Sequence, residues 1–185
     1  MKMVNRVIAL ALILVLSPLI FIICFLIAIF DGMPLFFLQR RIGLNNKEFI
    51  LYKFRTMKNS VGDIATHELK NSKSKLTKTG NIIRKYSLDE IPQLINIIKG
   101  EMNFVGPRPA LYNQRDLINL RNKKKIYTVK PGITGWAQVN GRDEISIARK
   151  VTLDEYYLNN RSLSMNIKIL FITAYRIIKP RNILH

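Results

Sequence analysis

The chain has 185 residues, with 30 lysines and arginines against 12 aspartates and glutamates, which gives a formal net charge of +18. This length allows one compact domain plus a membrane element. The single cysteine, Cys24, excludes an intramolecular disulfide and a cysteine metal cluster, and the two histidines argue against a histidine triad or a zinc site. A positive field of this size favours polyanions: nucleic acid, anionic lipid surfaces or phosphorylated small molecules.

The first element in the chain is an apolar segment, residues 7–30, that contains no charged side chain. As a helix it would be roughly 36 Å long at about 1.5 Å per residue, which is enough for a hydrocarbon core of about 30 Å. Its length, and the lack of a small-residue cleavage site after it, argue against a cleaved signal peptide. Because a membrane segment is predicted, an anionic lipid surface is favoured over nucleic acid as the polyanion. A helix that crosses the membrane once remains an alternative topology for this segment.

Ser17 and Pro18 lie at the middle of this segment. Proline removes a backbone donor and clashes with the preceding turn, which kinks a helix and loosens a carbonyl that the Ser17 hydroxyl can satisfy. Each arm would be about 18 Å long, which is too short to cross a membrane alone. Basic residues on both flanks indicate that both ends face the cytoplasm. They are Lys2, Arg6, Arg40, Arg41, Lys47, Lys53 and Arg55. We therefore predict a re-entrant helix-break-helix over residues 1–31 and a cytoplasmic domain over residues 32–185.

The remaining elements are predicted to be short strands and amphipathic helices, which makes the chain an α+β protein that is mostly helical. The strands are predicted at 35–39 and 49–54, around a turn at 43–46, with a third that follows a loop at 131–136. The helices are predicted at 88–99, 111–126 and 167–179, and a polar loop or weak helix at 58–80. The last helix is amphipathic, and it is either a core helix or an interfacial helix on the membrane.

Two of the acidic residues, Asp89 and Glu90, are adjacent at the start of the predicted helix 88–99. Ser87 and Glu90 have the spacing of a capping box, so a helix cap is one interpretation. Pro92 disturbs the first turn, however, and leaves Asp89 near helix N–H groups that lower carboxylate pKa values and bind phosphate oxygens. An ionised carboxylate beside a phosphate site is suited to covalent phosphoryl transfer, and a neighbouring carboxylate is suited to hold Mg²⁺.

Five basic residues are candidates to bind the phosphates of a substrate, because they lie at predicted strand ends, in rigid turns or near the acidic pair. They are Lys53, Arg55, Arg84, Arg108 and Arg142. Taken singly, each is also compatible with a solvated surface charge, and Trp136 is compatible with a core residue or a stacking platform. The sequence has no P-loop, no Gly-x-Gly-x-x-Gly fingerprint and no nucleic-acid module, which argues against a kinase, a dinucleotide enzyme or a nucleic-acid partner.

Six motifs, together with the apolar segment around Ser17 and Pro18, carry a resemblance to a known family. They are QRRIG at 39–43, YKFRTM at 52–57, TGNIIR at 79–84, SLDEIPQL at 87–94, GEMNFVGPRP at 100–109 and KPGITGWAQVNGR at 130–142. In this order they resemble the bacterial sugar transferase family, the small monotopic phosphoglycosyl transferases that act on polyprenol phosphate. The resemblance covers nearly the whole chain, and the last three motifs together are highly specific.

The resemblance implies that Asp89 attacks the β-phosphate of a UDP-sugar and expels UMP, forming a phosphosugar–aspartyl intermediate. Polyprenol (undecaprenyl) phosphate would then take the phosphosugar, which starts glycan assembly. Glu90 is implied as a base or Mg²⁺ ligand beside Asp89, and Arg84 and Arg108 align with arginines of the family. The resemblance also implies a place at the bacterial inner membrane, with the catalytic domain on the cytoplasmic face.

One segment departs from the family pattern. Residues 164–168 read SMNIK, so Asn166 stands where the family usually has an acidic residue. The resemblance otherwise describes a minimal catalytic form, without the large multispanning domain of longer relatives. Two alternatives stay open: a membrane-anchored basic protein that binds anionic lipid or nucleic acid without catalysis, and a membrane phosphodiesterase that uses the same carboxylate pair for hydrolysis.

Overall fold

The computed structural model describes residues 2–58, 75–141 and 145–178. Within these ranges the chain is mostly helical with short strands, which confirms the predicted α+β class. The helices are α1 (Lys2–Phe30), α2 (Gly80–Lys85), α3 (Gln93–Lys99), α4 (Arg115–Lys123), α5 (Ile147–Asn159) and α6 (Leu163–Ile178). The strands are β1 (Phe36–Ile42), β2 (Glu48–Phe54), β3 (Asn103–Val105), β4 (Ala110–Leu111) and β5 (Gly132–Thr134). Short 3-10 turns lie at Leu44–Asn46, Leu88–Glu90, Ile126–Thr128 and Gln138–Asn140.

Helix α1 contains the predicted apolar segment, and its stretch Met3–Phe30 is long and apolar enough to cross a membrane. One stripe of the helix packs against the rest of the protein at helical spacing. The stripe comprises Ala9, Ile13, Leu16, Ile20, Ile23 and Ile27. Large apolar side chains on the other faces are exposed, among them Val15, Phe21 and Phe25. The helix therefore has one apolar face against protein and another apolar face that suits lipid.

Pro18 lies inside α1, which runs as one helix across this position. Because proline has no N–H, the Leu14 carbonyl one turn earlier loses its usual donor. The Ser17 hydroxyl donates to that carbonyl at 2.8 Å, as predicted. The structure thus has the expected compensation at the proline within a single helix, in place of two separate helices. A re-entrant course through the membrane, and the division into residues 1–31 and 32–185, stay predictions.

The predicted strand pair is present as an antiparallel hairpin of β1 and β2, with Phe36 opposite Phe54 and Ile42 opposite Glu48. Asn45 and Asn46 in the connecting turn have positive φ angles of 53° and 58°, a conformation that asparagine tolerates better than most residues. Strand β4 pairs with the other edge of β1, so the sheet order is β2-β1-β4. The short parallel pair β3 and β5 is separate from this sheet.

The predicted helix 88–99 is present in two parts, the 3-10 turn Leu88–Glu90 and helix α3. Pro92 separates them, because a proline is compatible with the start of a helix but not with its interior. Helix α3 ends as predicted at Gly100, whose φ of 82° is the left-handed cap conformation. The acidic pair therefore stands on its own turn ahead of the helix, and not within it.

The side chain of Asn96 attaches β2 to α3. Its Oδ1 accepts from the Tyr52 backbone N–H at 3.2 Å, and its Nδ2 donates to the Ile50 carbonyl at 2.6 Å. Since β2 is the edge of the sheet, these are backbone groups that β1 leaves unpaired. Asn96 is fully buried. This attachment fixes the strand residue Lys53 beside the turn Leu88–Glu90.

The prediction of a strand after a loop at 131–136 is wrong: strand β5 (Gly132–Thr134) lies within the predicted loop, and Gln138–Asn140 after it is a 3-10 turn. Pairing with β3 makes the segment 132–134 extended, which the local sequence pattern does not show.

Two predicted helices are present with shifted limits. The predicted helix 111–126 is helical only at Arg115–Lys123, with β4 before it and a 3-10 turn after it. The predicted loop 58–80 is largely outside the described residues. The predicted helix 167–179 begins earlier, at Leu163; its Ile169 is fully buried, whereas Phe171 and Ile178 are 76% and 79% exposed. One stripe of α6 thus belongs to the core, and an interfacial role for its exposed apolar side chains stays a prediction.

Candidate active site

Asp89 and Glu90 lie on the 3-10 turn Leu88–Glu90, and both are buried, with 6% and 9% exposure. Ser87, directly before the turn, has a φ of 55° in the left-handed region, and its side chain makes no capping hydrogen bond. The capping-box interpretation is therefore wrong, because the helix interior that a capping box would serve does not start here. A non-glycine residue with positive φ costs on the order of 1 kcal/mol or more, and such strain collects at functional sites.

Lys53 contacts both carboxylates. Its Nζ lies 2.9 Å from Glu90 Oε1 and 3.4 Å from Asp89 Oδ2, and its side chain is only 14% exposed. The position follows from the hairpin, since Lys53 stands near the end of β2 where the strand meets the acidic turn. One ammonium group therefore serves two carboxylates, with the shorter contact to Glu90.

Arg108 supplies a second cation to the same pair. Its Nη2 lies 3.1 Å from Glu90 Oε1, so this single oxygen accepts from both Lys53 and Arg108. Two charge-assisted hydrogen bonds fix the Glu90 carboxylate firmly. The contact that Asp89 makes with Lys53 is longer, so Asp89 is the less constrained of the two acids.

Burial raises the pKa of Asp89, and the negative charge of Glu90 raises it further. Among the cations, Lys53 lowers this pKa the most, followed by Arg84 and Arg108. The net rise corrects the expectation that free helix N–H groups lower it. Removal from water dominates, because a carboxylate in a low-dielectric site loses hydration that nearby cations only partly replace. A desolvated carboxylate with a raised pKa is a better nucleophile toward a bound electrophile than a hydrated one.

The other candidate residues occupy different positions. Arg84, on α2, is close enough to Asp89 to act on its charge. Arg55 is buried, and it donates to the backbone carbonyls of Asp31, Gly32 and Met33 in the connection that follows α1. Arg142 lies outside the described residues. The structure therefore brings Asp89, Glu90, Lys53, Arg84 and Arg108 together, whereas the three carbonyl contacts of Arg55 attach the connection after α1 to the end of β2.

The turn that carries Arg108 is held at three successive carbonyls. The Gly132 N–H donates to Pro107 O at 3.0 Å, Arg121 Nη1 to Arg108 O at 2.7 Å, and Arg41 Nη1 to Pro109 O at 2.8 Å. Sequence reasoning missed Arg41 and Arg121 in this role. In the sequence, each of these arginines resembles an ordinary surface charge. The buried partner of Arg121, Asp154, is 33 residues away, and no local pattern connects the two.

Two glycines of the 130–142 motif allow this turn to approach β5. A Cβ on Gly132 would lie 2.1 Å from the Gly106 nitrogen, and a Cβ on Gly135 would lie 2.1 Å from the Gly106 oxygen. Any side chain there would force the two segments apart. Gly132 and Gly135 thus allow the backbone at Gly106, two residues before Arg108, to lie close to β5 and the residue that follows it.

Asn166, at the position where an acidic residue was expected, is bound by Tyr157. The Tyr157 hydroxyl donates to Asn166 Oδ1 at 2.9 Å, and it also lies 3.3 Å from the Val105 carbonyl. An amide oxygen accepts this hydrogen bond as a carboxylate oxygen would. Asn166 therefore supplies the acceptor that a carboxylate would supply, without a negative charge.

Comparison with known proteins gives a consistent set of relatives. Residues 1–180 match the family described as "Bacterial sugar transferase". The chain is 45% identical over 155 residues to the uncharacterized sugar transferase EpsL of Bacillus subtilis, covering 82% of this chain and 74% of that protein. It is 38% identical over 182 residues to an undecaprenyl-phosphate glucose phosphotransferase of Komagataeibacter xylinus, covering 92% of this chain and 34% of the relative. It is 37% identical over 177 residues to a UDP-glucose:undecaprenyl-phosphate glucose-1-phosphate transferase of Escherichia coli, covering 92% of this chain and 38% of the relative.

Proposed function

The chain belongs to the bacterial sugar transferase family, and from that premise we propose that it transfers a sugar-1-phosphate from a UDP-sugar to polyprenol (undecaprenyl) phosphate. The observation that carries the proposal is the buried pair Asp89 and Glu90, which faces Lys53 and Arg108. Two carboxylates and several cations in one desolvated site suit the transfer of a phosphoryl group between anionic substrates. The relatives from Komagataeibacter xylinus and Escherichia coli are named for such transfers.

In the first step, a carboxylate oxygen of Asp89 attacks the β-phosphorus of the UDP-sugar. A bond forms between that oxygen and phosphorus, the bond from phosphorus to the bridging oxygen breaks, and UMP leaves with the electron pair. The raised pKa of Asp89, due mainly to burial, supports its role as nucleophile. Lys53, Arg84 and Arg108 reduce the repulsion between this carboxylate and the anionic diphosphate.

In the second step, a phosphate oxygen of polyprenol phosphate attacks the phosphorus of the phosphosugar–aspartyl intermediate. The Asp89–phosphorus bond breaks, the carboxylate is regenerated, and polyprenol diphosphosugar is the product. The exposed apolar face of α1 supports this assignment, because it suits the membrane in which such an acceptor lies. Glu90 assists from its fixed position against Lys53 and Arg108.

Mg²⁺ is proposed as the cofactor. In the described parts of the chain, no group of three or more His, Cys, Asp or Glu side chains is placed to hold a metal ion by itself. The adjacent carboxylates of Asp89 and Glu90 nevertheless fit Mg²⁺, which is commonly bound by one or two carboxylates together with water and substrate phosphates. These two residues would hold it, and its charge would offset that of the diphosphate.

The test uses purified protein with a panel of UDP-sugars, undecaprenyl phosphate and Mg²⁺. Release of UMP that depends on the lipid supports the proposal. Steady release without lipid would identify a phosphodiesterase instead, and no turnover with any sugar would identify a binding protein. Labelled UMP should exchange into the UDP-sugar in the absence of lipid, because a covalent intermediate forms reversibly before the acceptor reacts. Asp89→Asn should abolish exchange, whereas Asp116→Asn, at an exposed site on α4, should leave it intact.

The protein is further proposed to lie at the bacterial inner membrane with its catalytic domain on the cytoplasmic face. The re-entrant course of α1 requires both of its ends on one side. Single cysteines introduced at Lys2 and at Lys47, in a chain whose Cys24 is replaced by serine, should react with an impermeant reagent only from the cytoplasmic side. Labelling from opposite sides would show a membrane-spanning α1.

A further inference from the structure

We propose that Arg121, held by Asp154, is a positioning residue that fixes Arg108 against Glu90. This inference rests on the proposed function, since it assigns a purpose to a buried ion pair away from the reacting atoms. Arg121 Nη2 and Nε lie 2.6 Å and 3.1 Å from Asp154 Oδ2, with side-chain exposures of 3% and 1%. Asp154 thus binds one edge of the guanidinium, and the remaining nitrogen, Nη1, makes a separate hydrogen bond.

Nη1 of Arg121 donates to the backbone carbonyl of Arg108 at 2.7 Å. The neighbouring carbonyls of Pro107 and Pro109 accept from the Gly132 N–H and from Arg41. Prolines on both sides of Arg108 already restrict the backbone, and the three hydrogen bonds fix where the turn lies. The Arg108 side chain leaves this turn and reaches Glu90 Oε1 at 3.1 Å. The path from Asp154 to the acidic pair therefore consists of direct contacts: Asp154 to Arg121, Arg121 to Arg108, and Arg108 to Glu90.

The energetics favour a positioning role over a simple contribution to stability. Helices α4 and α5 already pack through apolar side chains, with Leu117 and Val151 in one buried cluster. A buried ion pair in such a place contributes little net stability, because removing two charges from water offsets most of their attraction. What the pair adds is a rigid donor at a defined point beneath the turn.

The test replaces the pair as a unit, with Arg121→Met and Asp154→Leu together, so that no buried charge is left unpaired. Apolar replacement of a buried pair is commonly neutral or stabilising, so the variant should fold. We expect kcat for lipid-dependent UMP release to fall roughly 10- to 100-fold, as is typical when a substrate-contacting group is displaced by about 1 Å. The matched control is Lys124→Met with Glu155→Leu, which removes a more exposed ion pair between the residue that follows α4 and helix α5. This control should stay within about twofold of wild type.

A double-mutant cycle with Arg108 separates positioning from general structural damage. If Arg121 acts through Arg108, the paired replacement should lower kcat by less than about threefold once Arg108→Ala is present. An equal loss in both backgrounds would overturn the inference, and so would an unchanged kcat in the paired variant. If the paired variant does not fold, Arg121→Lys takes its place in the cycle, because one ammonium group cannot bind Asp154 through two nitrogens and also reach the Arg108 carbonyl. Wild type without lipid-dependent UMP release would refute the proposed function itself, whereas an active wild type with an equally active variant refutes only this inference.

Discussion

Replacing Asn96 with alanine is expected to destabilise the protein more than any substitution of an exposed asparagine. The fully buried Asn96 amide binds the Tyr52 N–H at 3.2 Å, the Ile50 carbonyl at 2.6 Å and Glu101 Oε2 at 2.7 Å. Each of the two backbone groups left buried and unpaired costs about 1–3 kcal/mol. The free energy of unfolding should therefore fall by roughly 2–6 kcal/mol, which lowers Tm by roughly 4–24 °C for a chain of this size.

Thermal unfolding followed by circular dichroism in detergent measures this effect. The matched control is Asn122→Ala, which removes an exposed hydrogen bond to Asn46 and should change stability by no more than about 0.5 kcal/mol. Because Lys53 follows Tyr52 on β2, Asn96→Ala should also lower kcat at temperatures where the variant is folded. A Tm for Asn96→Ala within about 2 °C of the control would show that the attachment of β2 to α3 does not depend on this side chain.

Three further predictions concern the acidic turn and the turn that carries Arg108. Burial raises the pKa of Asp89, so the folded protein holds this proton to a higher pH than the unfolded chain, and stability falls as pH rises between the two values. Asp89→Asn should therefore raise Tm at pH 7 while it abolishes activity, and the gain in Tm over wild type should shrink on acidification. Ser87→Gly should raise the free energy of unfolding by roughly 0.5–1 kcal/mol because glycine adopts a φ of 55° without strain, and Ser87→Val should lower it, as urea titration would show. Gly132→Ala should lower Tm by several degrees and reduce kcat, because its Cβ would lie 2.1 Å from the Gly106 nitrogen.

The features that could be predicted from the sequence are those that local patterns encode. The β1–β2 hairpin follows from two apolar runs around a turn with Asn45 and Asn46, and α1 follows from its uninterrupted apolar composition. The hydrogen bond from Ser17 to the Leu14 carbonyl follows from the chemistry of proline alone. In each of these elements, the residues that determine the structure are close together in the chain.

The features that could not be predicted depend on partners that are distant in the chain. The Ser-x-x-Glu spacing at 87–90 indicated a capping box, but Glu90 instead binds Lys53 and Arg108 from two other elements. The pKa of Asp89 was expected to fall because of helix N–H groups, yet burial by surrounding elements raises it. Tertiary contacts outweigh local preference here because charge-assisted hydrogen bonds in a buried site are stronger than a single cap.

The acidic turn and α1 share one hydrophobic cluster, which accounts for the C-terminal part of the apolar face that α1 packs against the protein. Ile23 and Ile27 of α1 are buried together with Phe54 and Ile83, and Leu88 and Ile91 pack against the same cluster. Leu88 and Ile91 flank Asp89 and Glu90 directly, so the acidic turn is attached to α1. A flexible tether would let the turn drift relative to the bilayer, whereas this packing fixes its distance from the exposed face of α1. The proposed reaction, between a water-soluble nucleotide sugar and a lipid-bound phosphate, would require that distance to be fixed, because such an acceptor phosphate lies at the membrane surface.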